Sequence, residues 1–290
     1  MSQILELDPQ VFTNHFGGRG FMLRHSVAQH PLLRLDALAT LADGLPEAQV
    51  EHNVGAVPTV ADPDAVQRLD LTPGQIARGI EGNGCWMVLK HVETDSAYRA
   101  LLDAAIDEVM PYVPRPEGAV KQREAFIFLS AAHSVTPVHL DPEYNLLLQV
   151  RGSKRMHVSG HPDAEREQLE LERYYTGGHR NLDHSPSDGQ VFELTPGDGV
   201  WVPLHAPHWV QNGPEVSISL SVTFRTTRSL RGGRLHALNA QLRSRGMKPK
   251  APGANAGFDL SKLVVLRAGT AVGQLRRRGV RRAQGPSPTP

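Results

Sequence analysis

Three short His-x-acid pairs stand out among the 14 histidines and 30 acidic residues of this 290-residue chain: His91-Val92-Glu93, His139-Leu140-Asp141 and His161-Pro162-Asp163. Ligands one residue apart can share a face of a β-strand, because alternate side chains point the same way. With a distant histidine they make the two-histidine, one-carboxylate set that leaves three positions open on iron(II). A chelating cosubstrate fills two of those positions and dioxygen the third. The pattern alone carries little weight, since this composition yields roughly one or two such pairs by chance. Context separates them. His161 follows Ser159-Gly160 and precedes Pro162 at the start of a helical run, so Asp163 reads as a helix-terminal acid. His91 and Glu93 leave an early strand and read as surface or structural residues. His139 and Asp141 head a long β-rich stretch with a histidine in a suitable setting downstream.

That setting is the turn Pro196-Gly197-Asp198-Gly199, a short apolar strand (VWVP), and a loop carrying both His205 and His208. The spacing from the strand-ending Pro203 favours His208 as the third ligand. His205 would then stand behind the ligands or line a substrate pocket.

The elements that must hold these residues are mostly strands. From Ala125 onward the runs AFIFLS, NLLLQV, RMHV, VFEL, GVWVP and VSISLSVTF are short, β-rich and separated by turn residues. Val216, Ile218, Leu220 and Val222 alternate with Ser217, Ser219, Ser221 and Thr223, the period-two pattern of a strand. Regular short strands with Gly/Pro turns predict a sandwich or barrel. Residues Pro162 to Tyr175 interrupt them as a helical insert ended by Gly177-Gly178. Ahead of the barrel lies a mixed lead-in: helices over Leu32–Leu45, from Thr72-Pro73 and over Ser96–Met110, and a strand over Trp86–Val92. After Arg225 the spacing of Leu235, Leu238 and Leu242 predicts a helix with Gly246 as its C-cap. Asp259 is expected to cap a second helix containing Leu260, Leu263, Val264 and Leu266, and the terminal GPSPTP to be disordered. The expected division is therefore 1–227 as a catalytic domain and 228–290 as a basic helical region. Within the former, the barrel core spans about 120–227 and the lead-in 1–119.

A single cysteine, Cys85, excludes an internal disulfide framework and fits a reducing compartment. No signal-peptide pattern opens the chain, and no run reaches the ~20 apolar residues of a membrane helix. The expectation is a cytoplasmic protein with no membrane partner. Charge is unevenly spread. Residues 225–290 hold 15 Lys/Arg and one acid, Asp259, while the first 224 residues hold 16 basic and 29 acidic residues. Either the basic helices pair with acids of the same chain, or they meet an acidic partner such as nucleic acid.

Taken together, TPVHLDPEYNLLLQVRGSKR and PGDGVWVPLHAPHWV resemble the JmjC-type, cupin-like 2-oxoglutarate oxygenases, nearest to the asparaginyl-hydroxylase-like branch. The likeness covers about Ala125 to Phe224 well and the lead-in loosely. It implies a mainly β fold, the double-stranded β-helix of cupins, with Fe(II), 2-oxoglutarate and O2. Carried over by position, Lys154 would pair with the distal carboxylate of 2-oxoglutarate and Thr136 would hydrogen-bond it. Asn145 would orient the end that chelates iron. The residues themselves agree: 139, 141 and 145 share strand parity, and the Arg151-Gly152-Ser153 turn would return Lys154 over the same interior on an antiparallel strand. A barrel-facing lysine is costly unless an anion pairs with it. Two positions depart from the family. Ser221 and Thr223 stand where many relatives have an Asn beside the cosubstrate, and Trp86 stands in for an upstream aromatic hydroxyl.

The resemblance implies hydroxylation of an unactivated C–H bond coupled to decarboxylation of 2-oxoglutarate, with a protein or peptide side chain as substrate. No reader module of the kind that accompanies chromatin demethylases is present. Three other functions fit parts of the pattern: a small-molecule hydroxylase, a cupin metal enzyme that does not use 2-oxoglutarate, and a non-enzymatic cupin whose basic tail binds nucleic acid. Lys154 and Thr136 argue against the second. Relatives also pair through helices after the barrel, so the Leu235/Leu238/Leu242 stripe is either a homodimer face or an internal packing face.

Overall fold

A computed structural model describes residues 3–54, 70–161, 163–184 and 188–264. Twelve strands run in chain order: β1 (Leu5–Glu6), β2 (Phe21–His25), β3 (Val50–Val54), β4 (Cys85–Lys90), β5 (Val120–Ser130), β6 (Val135–His139), β7 (Tyr144–Arg151), β8 (Lys154–Val158), β9 (Gln190–Leu194), β10 (Asp198–Val202), β11 (His208–Asn212) and β12 (Ser217–Thr226). Among the described residues α-helices accompany them: α1 (Pro9–His15), α2 (Leu35–Gly44), α3 (Pro73–Arg78), α4 (Ser96–Val109), α5 (Ala164–Tyr174), α6 (Thr227–Arg243) and a last one over 256–264. Helix starts follow local chemistry. Asp95 accepts from the amides of Ala97 and Tyr98 to open α4, and Thr72 with Gln75 forms a reciprocal cap on α3 behind Pro73.

The strands form two antiparallel sheets. The large one runs β1-β2-β10-β7-β12-β5-β4-β3 and the small one β6-β11-β8-β9. From β5 onward the chain passes back and forth between them, which is the winding of a double-stranded β-helix. Each interior has its own side-chain set. On the outer face of the large sheet, Leu146, Leu148, Trp201, Ile218, Leu220 and Val222 pack with the lead-in helices into the larger core. Between the sheets Leu147, Met156, Val158, Phe192, Val200, Val202 and Val210 form a smaller one.

Both faces of β12 are therefore buried. Ile218, Leu220 and Val222 are 2% exposed or less, yet Ser217, Ser219, Ser221 and Thr223 are 3% or less. The polar half of the alternation faces the barrel interior rather than solvent, and it must find partners there.

Arg151-Gly152-Ser153 is a corner between sheets, not a hairpin, because β7 pairs with β10 and β12 while β8 pairs with β9 and β11. Gly152 is required there: φ is +65°, and a Cβ would lie 2.3 Å from the Val216 carbonyl oxygen.

Two compact units divide the chain: Met1–Ala164 with His179–Leu230, and Glu165–Gly178 with Arg231–Pro290. The helical insert thus belongs with the C-terminal region. Within that second unit, Arg243 Nε donates to Glu172 Oε2 at 2.8 Å, and the rings of Tyr175 and His236 stack at 5.7 Å. One basic side chain of the region is thereby neutralised inside its own unit. Leu235 and Leu238 are buried within the chain, as an internal packing face requires. Asn255, rather than Asp259, caps the helix over 256–264, accepting from the amides of Gly257 and Phe258. Asp259 lies inside that helix and accepts from the Gly253 amide. Pro162, Leu266 and the terminal GPSPTP lie outside the described residues. Among the described residues no helix is long and apolar enough to cross a membrane.

Candidate metal centre

His139 is the last residue of β6 and His208 the first of β11, and the two pair directly across the small sheet. An irregularity in the register lets this happen: His208 opposes His139, but Val210 opposes Thr136. Such bulges re-aim side chains at sites. It also turns Thr136 to the face of Val210, into the barrel, although Thr136 and His139 have opposite parity in sequence. β6 is the outermost named strand of the small sheet, a position where a proline such as Pro137 is tolerated.

Each imidazole is oriented by its own backbone. Nδ1 of His139 lies 2.7 Å from the Pro137 carbonyl and Nδ1 of His208 2.9 Å from that of Ala206. A carbonyl can only accept, so Nδ1 carries the hydrogen and Nε2 keeps its lone pair. The two Nε2 atoms lie 3.6 Å and 3.5 Å from the same oxygen, Asp141 Oδ2. Donors each ~2.1 Å from one ion stand about 3.0–3.4 Å apart, so this spacing suits a shared cation. All three ligand atoms fall within 4.8 Å of one another. Burial, with His208 beside it, lowers the His139 pKa to about 4, keeping the ring a neutral donor at neutral pH. Burial opposes ionisation of Asp141, but its neighbours His139 and Arg180 and the side-chain hydrogen bonds around it outweigh that and hold the carboxyl well below its ordinary range. Two imidazole Nε2 atoms and a carboxylate oxygen converging on one point fit a divalent metal such as iron(II).

Asp141 does not sit on the strand that carries His139. β6 stops at His139, and Asp141 lies in the turn that crosses to β7 in the other sheet. The expected single-strand parity of 139, 141 and 145 therefore fails, although His139 and Asp141 still meet. The turn is held by a hydrogen bond from the His205 amide to the Asp141 carbonyl (3.1 Å) and by Arg180 Nη1 to Asp141 Oδ1 (3.0 Å). His205 has φ +63°, and its own carbonyl oxygen lies 3.0 Å from Nε2 of His161. Its contribution here is through the backbone. Of the remaining pair, Glu93 accepts from the Ala125 amide at 2.9 Å and lies 3.4 Å from His91 Nδ1, a structural arrangement.

Deeper in the interior the polar face of β12 meets amides of β7. Ser221 Oγ donates to Asn145 Oδ1 at 2.8 Å, and Ser219 Oγ donates to Gln149 Oε1 at 2.9 Å. Thr223, directly opposite Asn145, instead donates to the Glu124 carbonyl. Gln149, fully buried, also donates to the Arg151 carbonyl (2.6 Å) and to Ser217 Oγ (3.1 Å). At the far end Lys154 is 5% exposed, and among the described residues no hydrogen bond or ion pair reaches its ammonium; burial lowers its pKa to about 7. Directly across β11 from it, Asn212 Oδ1 has no donor. Trp86 Nε1 has no acceptor. Trp86 opposes Ser130, which opposes Ser217, so the indole lies on the interior face in the row that ends at Gln149.

Sequence reasoning missed Arg180, Gln149 and Asn212. The period-two run of buried polar residues on β12 could have pointed to Gln149. No local signal marks Arg180, whose place depends on residues 180–182 pairing with β6, a segment far away in sequence.

Residues 95–231 match the family model of the JmjC domain. Comparison with curated proteins gives no match. Solved structures similar to this chain include Escherichia coli ycfD, with TM-score 0.53, 20% identity, and coverage of 93% of this chain and 69% of that one. The ribosomal oxygenase YcfD of the same organism gives TM-score 0.51 and 18% identity over 93% and 68% of the two chains. YcfD in complex with cobalt and 2-oxoglutarate gives TM-score 0.50 and 18% identity over 92% and 67%. At these identities the likeness concerns the fold.

Proposed function

We propose, from the match of residues 95–231 to the JmjC domain model, that the chain is an Fe(II)- and 2-oxoglutarate-dependent oxygenase that hydroxylates a protein side chain. Bound iron supplies the oxidative decarboxylation of 2-oxoglutarate with O2, giving succinate and carbon dioxide and placing one oxygen atom on the substrate C–H.

His139, Asp141 and His208 are the metal ligands. Their hydrogen bonds to backbone and to Arg180 fix donor directions before any metal arrives. Lys154 takes the distal carboxylate of the cosubstrate. It stands opposite Asn212, four residues along β11 from His208, or roughly 13 Å of strand. An inward-leaning lysine and a five-carbon diacid together span that distance. Trp86 Nε1 supplies a second donor to the same carboxylate and Thr136, facing inward beside Val210, a third. Asn145, held by Ser221, orients the chelating end, with Thr223 packed opposite it. His205 supports Asp141 through its amide.

The observation that carries this reading is the buried lysine without a partner in the same interior as the three converging ligands. A structural lysine would be expected to snorkel to water or pair with an acid. YcfD is described as a ribosomal oxygenase, so ribosomal proteins are the first substrates to screen. A cytoplasmic location accords with the single cysteine, and pairing of two copies through the helices after the barrel is the assembly to look for.

The test is oxygen-dependent succinate release by iron-loaded protein, followed by a search for the gain of one oxygen atom on a captured protein. Protein-dependent succinate that disappears in Asp141→Ala supports the proposal. Equal succinate from both proteins, or none from either with every candidate substrate, sinks it.

A further inference from the structure

The two oxygens of Asp141 have different surroundings. Oδ2 faces the Nε2 atoms of His139 and His208 at 3.6 and 3.5 Å, whereas Oδ1 accepts from Arg180 Nη1 at 3.0 Å. The Arg180 side chain is 42% exposed, but its backbone is fixed by pairing. The Leu140 amide donates to the Arg180 carbonyl at 3.2 Å, His139 forms a β-bridge with Asn181, and the Leu182 amide donates to the Val138 carbonyl at 3.0 Å. Residues 180–182 are thus an added strand segment on the outer edge of β6. The backbone that presents His139 also presents the guanidinium.

A carboxylate can bind a cation through one oxygen or through both. With two histidines in place, a two-oxygen aspartate would consume one of the three remaining positions on the metal. A guanidinium is permanently charged and its donors form a rigid fork, so its bond to Oδ1 is charge-assisted and directional. The side chain of Asp141 is only 17% exposed, which leaves water little access to compete for that oxygen.

We propose that Arg180 is a positioning residue that keeps Asp141 a one-oxygen ligand and so holds the third coordination position open. This rests on the metal-site reading above and extends it to a residue outside the ligand set. Without Arg180, Oδ1 is free to turn toward the metal, and a fixed positive charge near the cation is gone. Metal binding then becomes no weaker, while a chelating oxoacid must displace Oδ1 and binds less well. Opposite signs separate this role from simple support of the turn, which would weaken both.

The experiment uses the full chain loaded with Co(II), in wild type, Arg180→Gln, Arg180→Lys and Asp141→Ala, with 2-oxoglutarate as the second probe. Arg180→Gln should bind Co(II) at least as tightly as wild type and show an altered visible Co(II) absorption before any oxoacid is added. Its 2-oxoglutarate affinity should fall about tenfold or more, in the range of other residues that orient metal ligands, with partial recovery in Arg180→Lys. Weaker Co(II) binding by Arg180→Gln, or an absorption spectrum identical to wild type, overturns the inference. Asp141→Ala separates the two levels. If it binds Co(II) like wild type, the metal-site reading falls and this inference with it. If it loses Co(II) while Arg180→Gln matches wild type in every respect, the inference alone falls.

Discussion

At one end of the barrel interior every ligand is tied down by the protein: His139 to Pro137, His208 to Ala206, Asp141 to Arg180. At the other end, among the described residues, the buried Lys154 has no hydrogen-bond or ion-pair partner, Trp86 Nε1 lacks an acceptor and Asn212 Oδ1 lacks a donor. The contrast is thermodynamic. Tied ligands lose little freedom when a metal arrives, so binding energy goes into coordination. Buried groups left without partners destabilise the empty fold by a few kcal/mol and recover that on binding an anion. On the function proposed above, one end is preorganised by the chain and the other is completed by the cosubstrate.

The largest effect should come from breaking the tied end. Asp141→Ala should abolish Co(II) binding and succinate formation while leaving the circular dichroism spectrum unchanged. Retained metal binding would show that the histidines alone suffice. Next comes the open end. Lys154→Met should weaken 2-oxoglutarate binding about a hundredfold, yet raise the stability of cofactor-free protein in urea by about 2 kcal/mol. A destabilised Lys154→Met would mean the ammonium already has a partner, and the contrast between the ends would vanish.

A pH profile sharpens the same point. The Lys154 pKa is depressed by burial from 10.5 to about 7. Between those values the unfolded chain binds the extra proton, so this lysine's contribution to stability rises with pH, complete above 10.5 and lost by about 7. If Lys154 holds the cosubstrate as proposed, binding has the opposite slope, because it is the ammonium form that pairs with the carboxylate. Affinity should fall as pH climbs above 7, by up to about tenfold per unit, and Lys154→Met should be flat over that range. The smallest effect belongs to the indole. Trp86→Phe removes one hydrogen-bond donor, which should weaken 2-oxoglutarate about fivefold and leave Co(II) affinity unchanged.

The sequence made the ligand types and the barrel legible because both are local. Alternation in Val216–Thr223 marks a strand, and His139-x-Asp141 followed by His208 marks a donor set. The reason those ligands meet was not legible. Strand parity failed, since the chain leaves β6 at His139 and changes sheet, and convergence comes from register and a turn held by His205 and Arg180. The short strands β1, β2, β3 and β11 and the strand carrying Pro137 were missed because their pairing, not their composition, makes them strands. Arg180 and Asn212 likewise depend on pairings between segments far apart in sequence. The polar side of β12 carried a signal, but alternation alone could not say whether it faced water or a site.

Titration of 2-oxoglutarate into protein with and without Co(II) tests most directly whether one molecule joins the two ends. A single equivalent should bind the Co(II) form, about ten or more times tighter than the metal-free form, and this preference should disappear in Asp141→Ala. Equal affinity with and without metal, or affinity unchanged in Lys154→Met, would contradict the account.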